Sequence, residues 1–153
     1  MNAYANQMNL YKNAQILNAS PEQILMMLYD GAIRFCREAQ VAMAAKDLRT
    51  QADKISRAMA IVTEFSNTLN REVGGEIAEN LDALYAFMNR ELVRANLEKD
   101  AGGVKTVEVL LSDLRETWAE AIDLNRKASH PVAATPPPPA DNDENRPRFV
   151  VSM

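Results

Sequence analysis

NASPEQILMMLYDGAIRF, residues 18–35, decides how the chain is to be read. Its opening is a helix start. Ser20 can cap, Pro21 suits the first helical position, and Gln23 stands where a capping box needs an amide side chain. Six apolar residues then follow in a row, Ile24 to Tyr29. A surface helix shows its apolar side chains as a stripe, not a run. Some of the six must therefore face away from the first neighbour. Gly31, just behind them, costs a helix interior roughly 1 kcal/mol relative to alanine, and a close approach by another backbone is a common reason to accept that.

Outward from this stretch the same period continues. Leu25, Leu28, Ala32, Phe35 and Ala39 fall on one face at ~100° per residue, and the pattern runs to about Ala45. Asp47 can cap a second helix, in which Leu48, Ala52, Ile55, Met59, Val62 and Leu69 step by threes and fours. The VGGE at 73–76 reads as a tight link between antiparallel helices. A third helix carries Ile77, Leu81, Leu84, Met88, Leu92 and Ala95, and the chain turns again between Asn96 and Gly103. A fourth carries Val104, Val107, Leu111, Leu114, Trp118 and Ile122. Each is long enough for ~30 Å of helix. No segment alternates with period two. The expected fold is all-α: an antiparallel up-down four-helix bundle over 20–128, with an amphipathic N-terminal segment at 1–19 and a proline-rich, disordered tail at 129–153.

Composition removes most chemistries. The net charge of −4 and the lack of a dense Lys/Arg patch argue against nucleic acid as a partner. The single histidine, His130, stands in the tail, so the bundle has none for acid/base work or for the Glu-x-x-His pairs of di-iron bundles. No Cys/His cluster offers a zinc site, and neither Gly-Gly pair has phosphate-binding spacing. No enzymatic activity and no cofactor are expected. No apolar run reaches the ~18–20 residues of a membrane span. The first 18 residues lack the layout of a secretory signal, and Cys36, the one cysteine, is expected to be a small buried apolar residue. A cytoplasmic location is expected.

The surplus apolar residues are what remains to be explained. With Leu28 taken as the core direction, Met26, Tyr29 and Ile33 lie ~100–160° away and make a second stripe. Ile61 and Phe65 lie to one side of the second helix's stripe, Phe87 far off that of the third, and Leu110 off that of the fourth. Helices with two neighbours need wide stripes, so these residues can be core. They can also form a groove for a partner helix, softened by Met26, Met27, Met43, Met59 and Met88. On the groove reading, Tyr4, Met8, Tyr11, Ile16 and Leu17 give the N-terminal segment an apolar face that can lie over the groove as a lid. On the same reading Tyr29→Asp, Ile61→Asp and Phe65→Asp would weaken partner binding and leave melting unchanged. A self-associating structural bundle is the competing class.

Four stretches, in order, resemble one known family. NASPEQILMMLYDGAI resembles the first-helix signature of the flagellin-specific export chaperones, the FliS family, and VGGEIAENLDALYAFM resembles its link and third helix. RANLEKD resembles the turn that follows and VEVLLSDLRETW the fourth helix, while Tyr11 stands where the family tends to carry a tyrosine. The resemblance covers roughly 11–122 and leaves out the proline-rich tail. It implies a non-enzymatic bundle that binds the C-terminal segment of newly made flagellin, one to one. That segment is disordered as a monomer; masking it prevents premature polymerisation and delivers the subunit to the flagellar type III export apparatus. It also implies that a flagellar regulator, such as an anti-sigma factor, can be a partner.

Overall fold

The computed structural model describes residues 18–129. The candidate lid residues Tyr4, Met8, Tyr11, Ile16 and Leu17 and the proline-rich segment lie outside them. Among the described residues four helices follow one another: α1, Pro21–Ala44; α2, Leu48–Asn67; α3, Arg71–Glu98; α4, Ala101–Ser129. Among the described residues there is no strand, and no helix is long and apolar enough to cross a membrane.

The starts of α1 and α2 form as their sequences dictate. The Ser20 hydroxyl accepts from the Gln23 amide at 3.1 Å, and the Gln23 side chain accepts from the Ser20 amide at 2.8 Å, a complete capping box ahead of Pro21. Asp47 caps α2 by accepting from the Thr50 amide at 3.2 Å. The second link departs from expectation. Asn70, not the glycine pair, begins α3, accepting from the Val73 amide at 3.1 Å. The pair lies inside α3, where Gly75 breaks the helix with φ 53° and ψ −125°. An L side chain is strained there, so the second glycine is required for a kink and not for the turn. Likewise Gly102 and Gly103 lie in the first turn of α4, after a turn through Lys99 (φ 55°) and Asp100. A Cβ on Gly103 would stand 2.9 Å from that of Ala95, so this glycine lets α4 approach α3.

Cross-helix pairs fix the topology. Glu38 meets Lys54 at 3.0 Å while Tyr29 stacks on Phe65, so α1 and α2 are antiparallel. Asn89 donates to Thr63 at 3.0 Å and Gln51 to Asn96 at 2.8 Å, so α2 and α3 are too. Arg115 pairs with Asp30 at 2.5 Å, and Arg37 and Gln40 each reach Glu108 at 2.7 Å, which sets α4 antiparallel to α1. From Glu120 on, α4 belongs to a second unit, within which Asp123 pairs with Arg126 at 3.0 Å and Lys127 at 3.2 Å.

The core direction of α1 is not Leu28. Tyr29, Ala32, Cys36 and Ala39 are fully buried and Ile33 nearly so, whereas Leu25, Leu28 and Phe35 are half-buried on one flank. The opening run thus divides three ways. Tyr29 enters the core, Leu25, Met26 and Leu28 lie on its margins, and Ile24 and Met27 remain exposed. Ile77 and Leu48, expected in the core, are also exposed: Leu48 is the first residue of α2, and Ile77 lies two residues past the Gly75 kink of α3. Gly31 is buried against α2, but a Cβ there would meet Ile61 Cδ1 at 3.5 Å, ordinary contact. Gly31→Ala should therefore be accommodated and raise stability by up to ~1 kcal/mol in urea unfolding. A lower midpoint would mean that the helix needs glycine there for a reason other than space.

Candidate protein-binding surface

Three of the residues expected to line an accessible groove are core. Tyr29 and Phe65 are buried and stacked, with ring centroids 4.3 Å apart, and Phe65 lies 5.5 Å from the buried ring of Tyr85. The Tyr29 hydroxyl exchanges a hydrogen bond with that of Tyr85 at 2.8 Å and accepts from the Trp118 indole at 3.1 Å. Burial pushes both phenols above their ordinary range, so both stay neutral. Ile33 is buried as well, so Met26, Tyr29 and Ile33 do not form one open stripe. Met26 is half-buried, and Ile61 is half-buried against the core beside Gly31. Of the five methionines expected to soften a groove, Met88 is fully buried and only Met27 is exposed.

Phe87 and Leu110 have a different setting. Gly103 faces Ala95 where α3 and α4 approach. Two turns along α4 from Gly103 is Leu110, and two turns back along α3 from Ala95 are Phe87 and Met88, at the same level of antiparallel helices. Phe87 is 37% exposed and Leu110 half-buried, so these two can line a flank open to solvent.

A further apolar departure lies on α3, at positions that the sequence reading does not mark. The side of α3 opposite its buried residues Tyr85, Met88 and Leu92 carries Ala83, Ala86, Arg90, Val93 and Leu97, all exposed. The equivalent side of α2 carries Arg49, Asp53, Ala60 and Glu64, as solvated faces do, and that of α4 carries Thr106, Val109, Asp113 and Glu116, with Val109, 44% exposed, its single large apolar residue. The signal was present as a 3-4-3-4 spacing, hidden by two alanines and an arginine. A second concave feature lies between α1 and α2. It is an open groove of about 410 Å³ lined by the apolar Val41, Ala42 and Ala45 and by charges of both signs, Arg34, Arg37, Lys54, Glu38 and Asp47.

The titratable groups are engaged in structure. Glu108 is 5% exposed. Burial pushes its carboxyl up, but hydrogen bonds from Arg37 and Gln40 and the charge of Lys105 outweigh that and hold it below the usual range. A group with a depressed folded pKa stabilises fully above its unfolded value, about 4.3 for glutamate, and loses that contribution as pH falls through the lower folded value. The stability difference between wild type and Glu108→Gln should therefore be larger at pH 7 than at pH 3, measured by urea midpoints; an unchanged difference would assign the clamp no ionic character. Cys36 is buried, and desolvation first, then the charge of Glu108, pushes its thiol up to about 12, so it stays protonated. Among the described residues no three His, Cys, Asp or Glu side chains converge as metal ligands would.

An acidic helical bundle, an outward apolar helix face and charges spent on bracing invite comparison with known proteins. The profile of the flagellar protein FliS matches residues 4–125, most of the chain. The flagellar secretion chaperone FliS of Bacillus subtilis is 33% identical over 128 residues, covering 84% of this chain and 95% of its own length. That of Salmonella typhimurium is 38% identical over 106 residues (69% of this chain, 78% of its own), and that of Campylobacter jejuni 37% over 112 (73% and 88%). The match takes in the capping box, the kinked start of α3 and the α3–α4 turn described above, and the chain belongs to the FliS family of flagellar secretion chaperones.

Proposed function

We propose that the protein is a cytoplasmic export chaperone for flagellin, without enzymatic activity of its own. It binds the disordered C-terminal segment of the newly made subunit, keeps it from polymerising early, and hands it to the flagellar type III export apparatus. Family membership supports the export role. The observation that carries client binding is the outward face of α3, where Val93 is 44% and Leu97 76% exposed. Apolar side chains gathered on one face invite a partner more than the same residues scattered singly. A segment that folds on binding must bury much apolar surface to offset the cost of ordering it, and a long apolar helix face provides that.

Calorimetric titration of the full chain with the C-terminal segment of flagellin from the same organism tests the proposal, with helicity followed by circular dichroism. One-to-one binding with a gain in helix is expected. A folded chain that releases no heat with this segment, and stays unchanged in helicity, would rule the client out.

A further inference from the structure

The spacing of the exposed α3 residues has a more specific consequence. Ala83, Ala86, Arg90, Val93 and Leu97 are separated by three, four, three and four residues, the step of a left-handed coiled-coil seam. A straight helix carries such a set as a nearly axial line, and from Ala83 to Leu97 it runs ~21 Å. The line faces outward, away from Tyr85, Met88 and Leu92. It is therefore not a continuation of the bundle core. At its centre stands Arg90, exposed and, among the described residues, without an ion pair or hydrogen bond. Other arginines of α3 are paired: Arg71 with Asp82 at 3.0 Å, and Arg94 with Glu98 at 2.7 Å and Asp100 at 2.9 Å.

We propose that this seam is where one helix of the client docks, and that Arg90 sets its register. The inference rests on the flagellin reading above. The occupant is an amphipathic helix of about four turns whose own apolar seam is interrupted by one carboxylate. Large apolar side chains of that helix lie over Ala83 and Ala86, where the small residues permit close axes, and smaller ones meet Val93 and Leu97. The carboxylate meets Arg90. A guanidinium can take both carboxylate oxygens at once, so a client shifted by one turn would leave Arg90 facing an apolar side chain. A polar residue at one seam position is the best-attested way to fix register in helix pairing, at some cost in affinity.

Because all five side chains are exposed, their substitution does not disturb the core, and binding can be read apart from folding. The test is calorimetry of the full chain against the flagellin C-terminal segment, with melting followed in parallel. Val93→Glu combined with Leu97→Glu should weaken binding by tenfold or more, and Arg90→Glu by several-fold, while Arg90→Lys, which keeps the charge but not the two-pronged contact, falls between Arg90→Glu and wild type. Melting should stay within a few degrees of wild type in each. Val41→Glu, equally open but in the α1–α2 groove, should leave affinity unchanged. Wild-type affinity in the Val93/Leu97 double variant, or a loss confined to Val41→Glu, overturns the seam while the flagellin reading stands. Equal binding by Arg90→Glu and wild type overturns the register role. If wild type itself does not bind the segment, the flagellin reading fails and the seam proposal falls with it. A self-associated wild type that Val93→Glu/Leu97→Glu turns into a monomer, by sedimentation, would give the seam to a second copy of the chain and overturn the proposal.

Discussion

Phe65→Asp should leave the chain largely unfolded at 25 °C, while Phe87→Asp should fold and melt close to wild type. The two phenylalanines both lie off the main apolar line of their helices in the sequence, and the fold treats them oppositely. Phe65 is 3% exposed, stacked on Tyr29 at 4.3 Å and 5.5 Å from Tyr85. Truncating such a ring to alanine costs ~3–5 kcal/mol. An aspartate in its place must in addition lose water around an ionised carboxylate, or take up a proton to avoid doing so. A small domain has about 5–15 kcal/mol in total, so little helical population should survive. Phe87 already gives 37% of its surface to water, so a carboxylate there need not be buried. Circular dichroism and urea unfolding of the two variants decide the matter. A cooperative urea transition for Phe65→Asp with a midpoint close to that of wild type would remove Phe65 from the core and restore the accessible stripe that its sequence position suggests.

That contrast locates what the sequence carries and what it hides. Helix caps are local, and two of them were legible. Ser20, Pro21 and Gln23 form the capping box they spell, and Asp47 caps α2. The rotation of each helix about its axis is not local. In α1 the bulky residues Leu25, Leu28 and Phe35 dominate any hydropathy sum, yet they are half-buried, while Ala32, Cys36 and Ala39 are fully buried. Close-packed helices place small residues where the axes come nearest and large ones at the edges. A reading weighted by hydrophobicity therefore points to a margin of the interface. The same error of weight conceals the outer seam of α3, because two alanines and an arginine register as unremarkable surface. At the α2–α3 link a strong glycine signal masked a weaker and correct one, the Asn70 cap. Gly75 has a positive φ, but inside the helix it kinks, which no dipeptide rule distinguishes from a turn. The bracing of α4 on α1 through Glu108 was also out of reach, since its partners Arg37 and Gln40 lie about 70 residues away in sequence.

The second large effect concerns the polar atoms within that aromatic core. Tyr29→Phe keeps the ring and its stacking but removes a hydroxyl that serves both the Tyr85 hydroxyl and the Trp118 indole N–H. Tyr85 is 3% exposed, so its hydroxyl cannot turn freely to water. A buried group left without a partner costs ~1–3 kcal/mol, against ~1 kcal/mol for one ordinary hydrogen bond given up by both sides. Tyr85→Phe takes away one bond and leaves Tyr29 holding the indole. Tyr29→Phe should therefore be the more destabilising of two chemically identical changes. A double-mutant cycle measures the coupling directly: the pair of substitutions together should cost less than the sum of the singles, because neither hydroxyl is then orphaned. Trp118, the only tryptophan, reports the same event independently through its emission. It should change in Tyr29→Phe and in the double variant more than in Tyr85→Phe. Additive costs with equal emission in all three would mean that the two tyrosines stabilise the bundle by their rings alone, and that α4 is held to α1 by its ion pairs and apolar contacts without help from this triad.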